Sequence, residues 1–381
     1  MADNKDKKVL NVPALRFPEF TREWKEHYLA EYLDFKNGLN PSANKFGSGI
    51  KFISVMDILN NDFITYDCIR TSVEITPEEQ VAFAVEKGDM LFQRSSETLE
   101  DVGRANVYMD DRSAVFGGFV IRGKKKAEYN PMFFRYLLAS PYARKKVIPM
   151  GAGAQHFNIG QDGLSKVRLH FPVLQEQHKI ATLLRLIDDR ISTQNKIIEK
   201  LETLIKGIVE TVISSQKPNT LIKNCLECNS STLQESQVAE TGTFPVYGAT
   251  DISGYTETAG INGESILIIK DGSGVGTVKF VGGEYSYIGT LNSLTAKDGY
   301  CLKYIYFALQ RFSFEPYKTG MAIPHIYFKD YGKAKIYCPS FSLQTLIAQK
   351  LSLIENKMEV EKRIILCYQL QKSYLLSRMF I

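Results

Sequence analysis

Two stretches of this chain, 167 residues apart, carry the same long heptad pattern of apolar residues. The first follows Pro172 and runs to about Ser214, and the second follows Pro339 and runs to Ile381. Proline just before such a pattern is a helix-start signal. A pattern sustained over more than four heptads is typical of a coiled coil. The alternative, an amphipathic helix on a globular core, rarely exceeds roughly 20 residues, so the pattern favours the coiled coil.

The apolar positions of each stretch are separated by alternating steps of four and three residues. The first seam is Ile180, Leu184, Ile187, Ile191, Gln194, Ile198, Leu201, Ile205, Ile208 and Val212. The same positions 167 residues later are Ile347, Leu351, Ile354, Met358, Glu361, Ile365, Tyr368, Lys372, Leu375 and Met379. Gln194 and Glu361 occupy the same repeat position, and a polar seam residue often fixes helix register.

The segments before the two helices also match, although weakly. The paired segments are 87–96 with 263–272, 132–140 with 303–311, and 151–159 with 318–326. Each half therefore reads as strands and turns, an aromatic-rich helix, a glycine turn, a short strand and then the long helix. The sequence of 244–257 and the glycines near 272–283 predict hairpins and tight turns in a mainly β domain.

This pattern predicts the domain boundaries. We expect a flexible N-terminus over 1–12, a β-rich domain over 13–171 and a long helix over 172–215. A second β-rich domain is expected over 216–338 and a second long helix over 339–381. The 44% apolar content is ample for buried cores. No run approaches the ~18 apolar residues of a membrane span, so a cytoplasmic protein without membrane contact is expected.

Two heads on long helices suit a long, quasi-symmetric ligand, of which duplex DNA is the leading candidate. A helix of ~40 residues is ~60 Å long, enough to reach half-sites one turn of B-DNA apart, ~34–36 Å. The net charge of +5 is weak evidence for a polyanion. Basic residues concentrate over 122–146, which could bind phosphates or form an ordinary solvated surface.

Motifs of catalysis or metal binding are incomplete. Cys225 and Cys228 form a CxxC without the second pair that a zinc site needs, so we expect reduced, mostly packed cysteines and no metal. Residues 130–133, Asn-Pro-Met-Phe, match an adenine methyltransferase motif only in part, and Asn-Pro is interpreted as a helix start. The glycines of 271–278 fit neither phosphate-binding loop pattern. No catalytic residue is predicted.

These features together resemble the DNA-specificity subunit of type I restriction-modification systems. The residues that carry the resemblance are P-x-x-x-E-Q-x-x-I at 172–180, the strand followed by Asp-Gly at 266–272, and FPVYGATDISGY at 244–255. The order of domain, helix, domain, helix matches as well. Two departures are Leu343 in place of Glu176 in the second helix, and Arg-Ser-Ser at 94–96 in place of Lys-Asp-Gly.

The resemblance implies an α/β (α+β) fold: two β-rich target recognition domains separated by two long antiparallel coiled-coil helices, in a pseudo-two-fold repeat. Each domain would read one half of a bipartite, asymmetric target in double-stranded DNA. The helices would set the spacer and dock two modification (methyltransferase) subunits, and restriction subunits would join through the complex. S-adenosylmethionine, ATP and Mg²⁺ are expected on those partners, with no cofactor and no catalysis on this chain.

Two other functions remain open at this point. One is a coiled-coil scaffold with two β-rich interaction heads, which the modest net charge fits. The other is a methyltransferase with its own recognition domain, against which the missing cofactor loop argues.

Candidate DNA contacts follow from side-chain chemistry. Arg and Lys pair with guanine, and Asn and Gln pair with adenine, although most contacts to DNA reach phosphate and sugar. In the first half the candidates are Arg94, Ser95, Ser96, Arg104, Lys124, Lys125, Lys126, Gln155, His156 and Asn158. In the second half they are Lys270, Ser273, Lys279, Asn292, Lys318, His325 and Tyr327. Each of them could instead cap a turn or face solvent.

Overall fold

A computed structural model describes residues 10–153 and 155–381 of the chain. They divide into two compact units. The first unit holds the described residues up to Gln194 together with Ile364–Ile381, and the second holds Asn195–Arg363. Each unit combines a β-rich domain with one part of each long helix.

The β-rich domain of the first unit alternates short strands with short helices. Its strands are β1 (Lys25–Tyr28), β2 (Leu33–Asn37), β3 (Phe46–Ile53), β4 (Ser72–Val73), β5 (Met90–Gln93), β6 (Ser95–Ser96), β7 (Ala105–Val107), β8 (Val115–Phe116), β9 (Val120–Lys125), β10 (Phe157–Asn158) and β11 (Arg168–Phe171). Its helices are α1 (Leu29–Tyr32), α2 (Val55–Asn60), α3 (Pro77–Ala82), α4 (Pro131–Ala139), α5 (Pro141–Val147) and α6 (Gln161–Ser165), and the first long helix is α7 (Leu174–Val209).

The second unit follows the same plan. Its strands are β12 (Thr220–Leu221), β13 (Leu226–Ser230), β14 (Phe244–Tyr247), β15 (Ile252–Thr256), β16 (Ile261–Asn262), β17 (Ser265–Ile269), β18 (Val278–Val281), β19 (Glu284–Tyr287), β20 (Leu291–Ala296) and β21 (Lys335–Ile336). Its helices are α8 (Ile222–Cys225), α9 (Leu302–Gln310) and α10 (Phe328–Tyr331), and the second long helix is α11 (Phe341–Arg378).

The strand order of the sheets repeats between the units. The central sheet is β2-β9-β5-β7 in the first and β13-β20-β17-β18 in the second. The entry and exit strands of each domain pair antiparallel, β1 with β11 and β12 with β21. A parallel pair recurs as β3 with β8 and as β14 with β19. This agreement confirms the predicted internal repeat.

Each central sheet packs against one aromatic-rich helix, α4 or α9. Asn130 caps α4 by accepting a hydrogen bond from the backbone N–H of Phe133 at 2.9 Å, and Pro131 is the first helical residue. The Asn-Pro pair is therefore a helix start, as interpreted from the sequence. Phe133, Phe134 and Tyr136 are completely buried, and burying an aromatic side chain of this kind contributes about 2–3 kcal/mol.

The two long helices run antiparallel in each unit. In the first unit Ile180, Leu184 and Ile187 of α7 share a core with Leu375 of α11 and with Met379, which directly follows α11. In the second unit the end of α7 and the turn that follows it share a core with the beginning of α11, through Ile205, Val209, Ile213, Ile347 and Leu351. Early residues of one helix thus lie beside late residues of the other, so the predicted antiparallel arrangement is confirmed.

The buried stripe of α7 departs from the predicted seam near its end. Val209 and Ile213 are buried, whereas Val212 is 37% exposed. The backbone of Glu210–Ser214 is π-helical, and in this wider turn residues four apart come more nearly into line. The predicted seam position Val212 is therefore wrong, and Ile213 replaces it.

The polar seam residues also differ from each other. Glu361 is 3% exposed and forms an ion pair with Lys357, one turn earlier on α11. Gln194 is half-buried. Among the described helices, none has the length and apolar content that crossing a bilayer requires.

Of the segment 1–12 that was expected to be flexible, residues 1–9 lie outside the described part. Asn11 is held in place, because its carbonyl accepts a hydrogen bond from the Trp24 backbone N–H at 2.8 Å.

Candidate nucleic-acid interface

A buried glutamine fastens each β-rich domain to its long helix. Gln177 Oε1 accepts from the backbone N–H of Asn130 at 3.0 Å, and its Nε2 donates to the carbonyl of Pro172 at 2.9 Å. Gln344 makes the same two bonds, with Cys301 N–H at 3.0 Å and Pro339 O at 2.9 Å. The glutamine of the P-x-x-x-E-Q pattern thus joins the start of the aromatic helix to the start of the long helix.

Replacing either anchor glutamine by alanine is expected to destabilise its own unit by about 3 kcal/mol. The substitution removes the partners of a backbone N–H and of a proline carbonyl, buried at Pro172 and part-buried at Pro339, and each such loss costs ~1–3 kcal/mol. Urea unfolding of Gln177→Ala and Gln344→Ala checks this. The matched control is Gln371→Ala, at an exposed position of α11, where a change within ~0.5 kcal/mol is expected. Anchor variants as stable as the control would show that the bonds do not hold the domains.

The glutamate beside the first anchor is held by the N-terminal segment. Glu176 is 1% exposed, and Arg16 binds both of its carboxylate oxygens at 2.7 Å. Trp24 Nε1 donates to the same carboxylate at 3.3 Å. Leu343, at the same repeat position, is 42% exposed. The departure between the two repeats therefore reflects whether a segment covers the position.

A second acidic position is shared by the long helices. Asp188 accepts from Tyr136 Oη of α4 at 2.7 Å and pairs with Lys372 Nζ at 2.5 Å. Burial, reinforced by the neighbouring carboxylate, raises the pKa of the Tyr136 hydroxyl, so it remains a donor. Glu355, 167 residues after Asp188, pairs with Lys303 of α9 at 2.7 Å. Sequence reasoning missed these two contacts, although an acidic residue at both repeat positions was a visible signal.

Outside the central sheet, two segments that are distant in the chain pair through backbone hydrogen bonds, and the same pairing occurs in both domains. In the first, Ile159 N–H donates to Arg94 O at 2.9 Å, and in the second, Ile326 N–H donates to Lys270 O at 2.9 Å. The adjacent residues face each other across the bridge, Ser95 opposite Asn158 and Asp271 opposite His325. We call these two places the crossings. The first brings together the candidates Ser95 and Asn158, 63 residues apart in the chain. The second places the candidate His325 against Asp271, 54 residues away, which the sequence analysis did not select.

The loop that leads into each crossing closes on itself. Ala152 pairs with Asn158, and Thr319 pairs with His325, through backbone hydrogen bonds of 2.7–2.9 Å. Gly320 has a φ of +88°, and a Cβ there would lie 2.4 Å from the Ile323 carbonyl oxygen. Only glycine fits this turn without displacing backbone, which explains the glycine that the repeat alignment placed there.

The comparison with known families decides the identity. The model of the family described as "Type I restriction modification DNA specificity domain" matches residues 21–203 and 224–366, one copy in each half. The chain belongs to this family. The family is one of DNA specificity domains and not of catalytic subunits, which agrees with the prediction from the sequence.

Curated relatives of this specificity protein are distant. A putative type I restriction enzyme MjaX specificity subunit of Methanocaldococcus jannaschii is 24% identical over 209 residues, which is 54% of this chain and 48% of the relative. The HindI specificity subunit of Haemophilus influenzae is 26% identical over 197 residues, 50% of this chain and 40% of the relative. The chain thus spans about half the length of these relatives. A putative specificity subunit of Mycoplasma genitalium is 25% identical over 280 residues, 66% of this chain and 71% of the relative.

Solved structures share the fold of this specificity protein. The crystal structure of the S subunit from a type I restriction-modification system of M. genitalium covers 97% of this chain and 99% of its own, with a TM-score of 0.66 and 18% identity. A chain from a structure of complex assembly and conformational transition in the type I system covers 93% and 96%, with a TM-score of 0.54 and 14% identity.

Several basic candidates of the specificity domains are in exposed ion pairs. Arg104 pairs with Asp101, Lys124 with Glu86, Lys125 with Glu128, Lys279 with Asp251 and Lys318 with Glu315. Exposed pairs are worth only ~0–1 kcal/mol, so a phosphate could replace the acidic partner.

Other candidates lie on the surface or at the crossings. The exposed ones are Lys126, Gln155, His156, Asn158, Ser273 and Tyr327, and the half-buried ones are Arg94, Ser95, Ser96, Lys270 and His325. Arg94 Nη1 donates to the carbonyl of Gly118 at 3.2 Å. This bond holds the guanidinium beside the first crossing.

Two expectations about DNA contacts need correction. Asn292 is 5% exposed, and its Oδ1 accepts from Ser230 Oγ at 2.8 Å, so it lies inside the sheet and is no longer a candidate. The basic run over 122–146 does not form one surface. Arg122 is buried and donates to Ala84 O, and Arg144 donates to the carbonyls of Glu100 and Val102.

The cysteines of the described residues are free thiols. Cys225 lies 3.8 Å from Cys338 Sγ in a buried contact. Burial raises the pKa of the Cys228 thiol to about 11. Among the described residues, no group of three or more His, Cys, Asp or Glu is placed to hold a metal ion.

Proposed function

We propose that this chain is the DNA-recognition subunit of a type I restriction-modification complex. Residues 13–171 and 216–338 are the two target recognition domains, each reading one half of a bipartite target in double-stranded DNA. Residues 172–215 and 339–381 are the helices that set the spacer. The observation that carries the proposal is the internal repeat. Both domains have the same strand order, and a glutamine anchors each of them to its long helix. Both also belong to a family of DNA specificity domains.

The target is asymmetric on this proposal. A duplicated reader with identical halves would favour a palindrome, as a two-fold dimer does. Here the backbone pairing repeats, but the side chains on it differ. Ser95 and Asn158 of the first domain correspond to Asp271 and His325 of the second. Unlike polar groups select unlike base edges, so the two half-sites differ.

The long helices also offer a surface for partner subunits. On the part of α11 in the second unit, Leu346, Leu353 and Val360 follow one another at intervals of seven and are 50%, 64% and 48% exposed. Apolar residues at heptad spacing on an outer helix face favour a packed partner helix. We assign this face to the two modification subunits, which carry S-adenosylmethionine. Restriction subunits with ATP and Mg²⁺ join through that complex.

Methylome sequencing tests the proposal. The full chain is expressed with its modification subunits in a host that lacks adenine methylation, and methylated adenines are mapped by long-read sequencing. We expect one split motif, with two unlike half-sites and a constant gap. The control is the modification subunits without this chain, which should methylate no such motif.

The opposite result would favour the scaffold alternative. Absence of a split motif, together with no salt-dependent binding of duplex DNA by the assembled complex, would overturn the proposal, because phosphate contacts make DNA binding strongly salt-dependent. Methyl transfer by the isolated chain would point instead to a methyltransferase.

A further inference from the structure

We propose that the crossings are the base-reading positions of the two domains: Ser95 with Asn158 in the first, and Asp271 with His325 in the second. This inference rests on the proposed function and deepens it, since it assigns the difference between the half-sites to four side chains. It starts from the backbone bridge that both domains share.

At each crossing a side-chain hydrogen bond links the two residues. Ser95 Oγ lies 2.5 Å from Asn158 Oδ1, and His325 Nδ1 lies 2.7 Å from Asp271 Oδ1. Because backbone hydrogen bonds fix both residues of each pair, their side chains have little conformational freedom left to lose when a ligand binds. Preorganised polar groups lose less conformational entropy on binding than free side chains, which suits them to selecting between bases.

Both pairs are anchored and also reachable. The side chains of His325 and Asp271 are 35% and 33% exposed, and Asn158 is exposed. A carboxylate has four acceptor sites, so the bond to His325 leaves Asp271 free to accept another hydrogen. Asn158 Nδ2 donates to the His156 carbonyl at 3.3 Å, which uses one of its two amide hydrogens.

The chemistry of the second crossing points to a base and not to the DNA backbone. A carboxylate is repelled by phosphate, whereas it accepts hydrogen bonds from the amino group of a base, cytosine N4 above all. Asp271, which pairs with His325, therefore fits a position that faces a base better than one that faces a phosphate. The neighbouring residues Arg94 and Lys270, which also occupy equivalent positions, supply positive charge for the phosphates that position the reader.

The two crossings therefore present different groups on one frame. The first offers an amide and a hydroxyl, and asparagine is the usual partner of adenine. The second offers a carboxylate acceptor beside an imidazole. Each crossing selects its own base pair, and the two half-sites differ at that position.

Exchanging the pairs tests the inference in the assembled complex. The double variants Asp271→Ser/His325→Asn and Ser95→Asp/Asn158→His are mapped by the methylome assay. We expect the first to change the preferred base at one or two positions of one half-site, roughly tenfold or more in preference, a typical worth of one bidentate contact. The second should change only the other half-site. The gap should stay the same in both.

Two further variants secure the result. Asp271→Asn keeps the shape of the side chain and removes its charge, so it should fold even if a double variant does not, and should relax selection at one base pair. Glu257→Gln is the control, because Glu257 accepts from Thr243 Oγ1 at 3.0 Å in an exposed pair beside the β14–β15 hairpin of the same domain, and should leave the motif unchanged.

The outcomes are distinguishable. Folded crossing variants that methylate the wild-type motif with unchanged preference would overturn the inference, as would changes in both half-sites at once. A wild-type complex without any split motif would refute the proposed function itself, and the inference with it.

Discussion

Arginine 16 replaced by alanine should destabilise the first unit by about 3–5 kcal/mol, the usual cost of breaking a buried ion pair. The Arg16 guanidinium binds both oxygens of Glu176, whose side chain is 1% exposed. Without it, the bond that remains to the buried carboxylate within the described part of the chain is the weaker one from Trp24 at 3.3 Å. Differential scanning calorimetry should show the first unit unfolding roughly 10 °C earlier, since 1 kcal/mol shifts the midpoint by ~2–4 °C in domains of this size.

The second repeat supplies the rescue for this variant. Leu343 occupies in the second helix the position of Glu176 in the first. The double variant Arg16→Ala/Glu176→Leu therefore removes the unpaired Glu176 carboxylate and replaces it with the residue of the second repeat. We expect the double variant to recover more than half of the lost stability. Lys87→Ala is the matched control, because its pair with Asp111 at 2.9 Å is exposed and its loss should cost below ~1 kcal/mol. A single variant no less stable than the double one would contradict the argument.

Removing one heptad from both long helices should change the DNA gap and leave both half-sites intact. Deleting residues 194–200 from α7 and 358–364 from α11 preserves the alternation of four and three on each helix. It shortens each by ~10 Å at 1.5 Å per residue, about three base pairs at the ~3.4 Å rise per nucleotide. Methylome sequencing of this variant should therefore report the same half-site bases with a gap about three base pairs shorter.

The control deletes the heptad from α7 alone. The two seams then no longer match along their length, and we expect a poorly folded chain that methylates nothing. If the paired deletion altered bases within a half-site and left the gap unchanged, the helices would not be the spacer.

The fold was largely predictable because its strongest signals are periodic. Apolar steps of four and three specify long helices without knowledge of tertiary contacts, and the same steps occur twice. The exception was Val212, where a π-helical turn at Glu210–Ser214 shifts the stripe. The apolar spacing in the sequence does not predict that turn, because the turn depends on how the end of α7 packs against the core of the second unit.

The candidate site was predictable only in part. Residue chemistry selected Ser95, Asn158 and His325, but it could not show that they meet partners across a bridge. It also selected Asn292, which the central sheet buries. Amide, hydroxyl and imidazole groups serve inside a protein as well as on DNA, and only the tertiary structure separates the two uses. Glu176 was recognised as part of a motif, yet its partner Arg16 lies 160 residues away.

The pairing of entry and exit strands has an evolutionary consequence. Lys25 pairs with Phe171, and Thr220 pairs with Ile336. The first and last strands of each β-rich domain therefore lie side by side, and the chain enters and leaves the domain at the same place. On the proposed function, we expect that a related domain can replace the segment between the paired strands if it keeps this strand pairing and the contacts to its long helix. Recombination between related genes at these four strands would then join a different recognition domain to the same long helices, and on this proposal the complex would read a new target after a single genetic event.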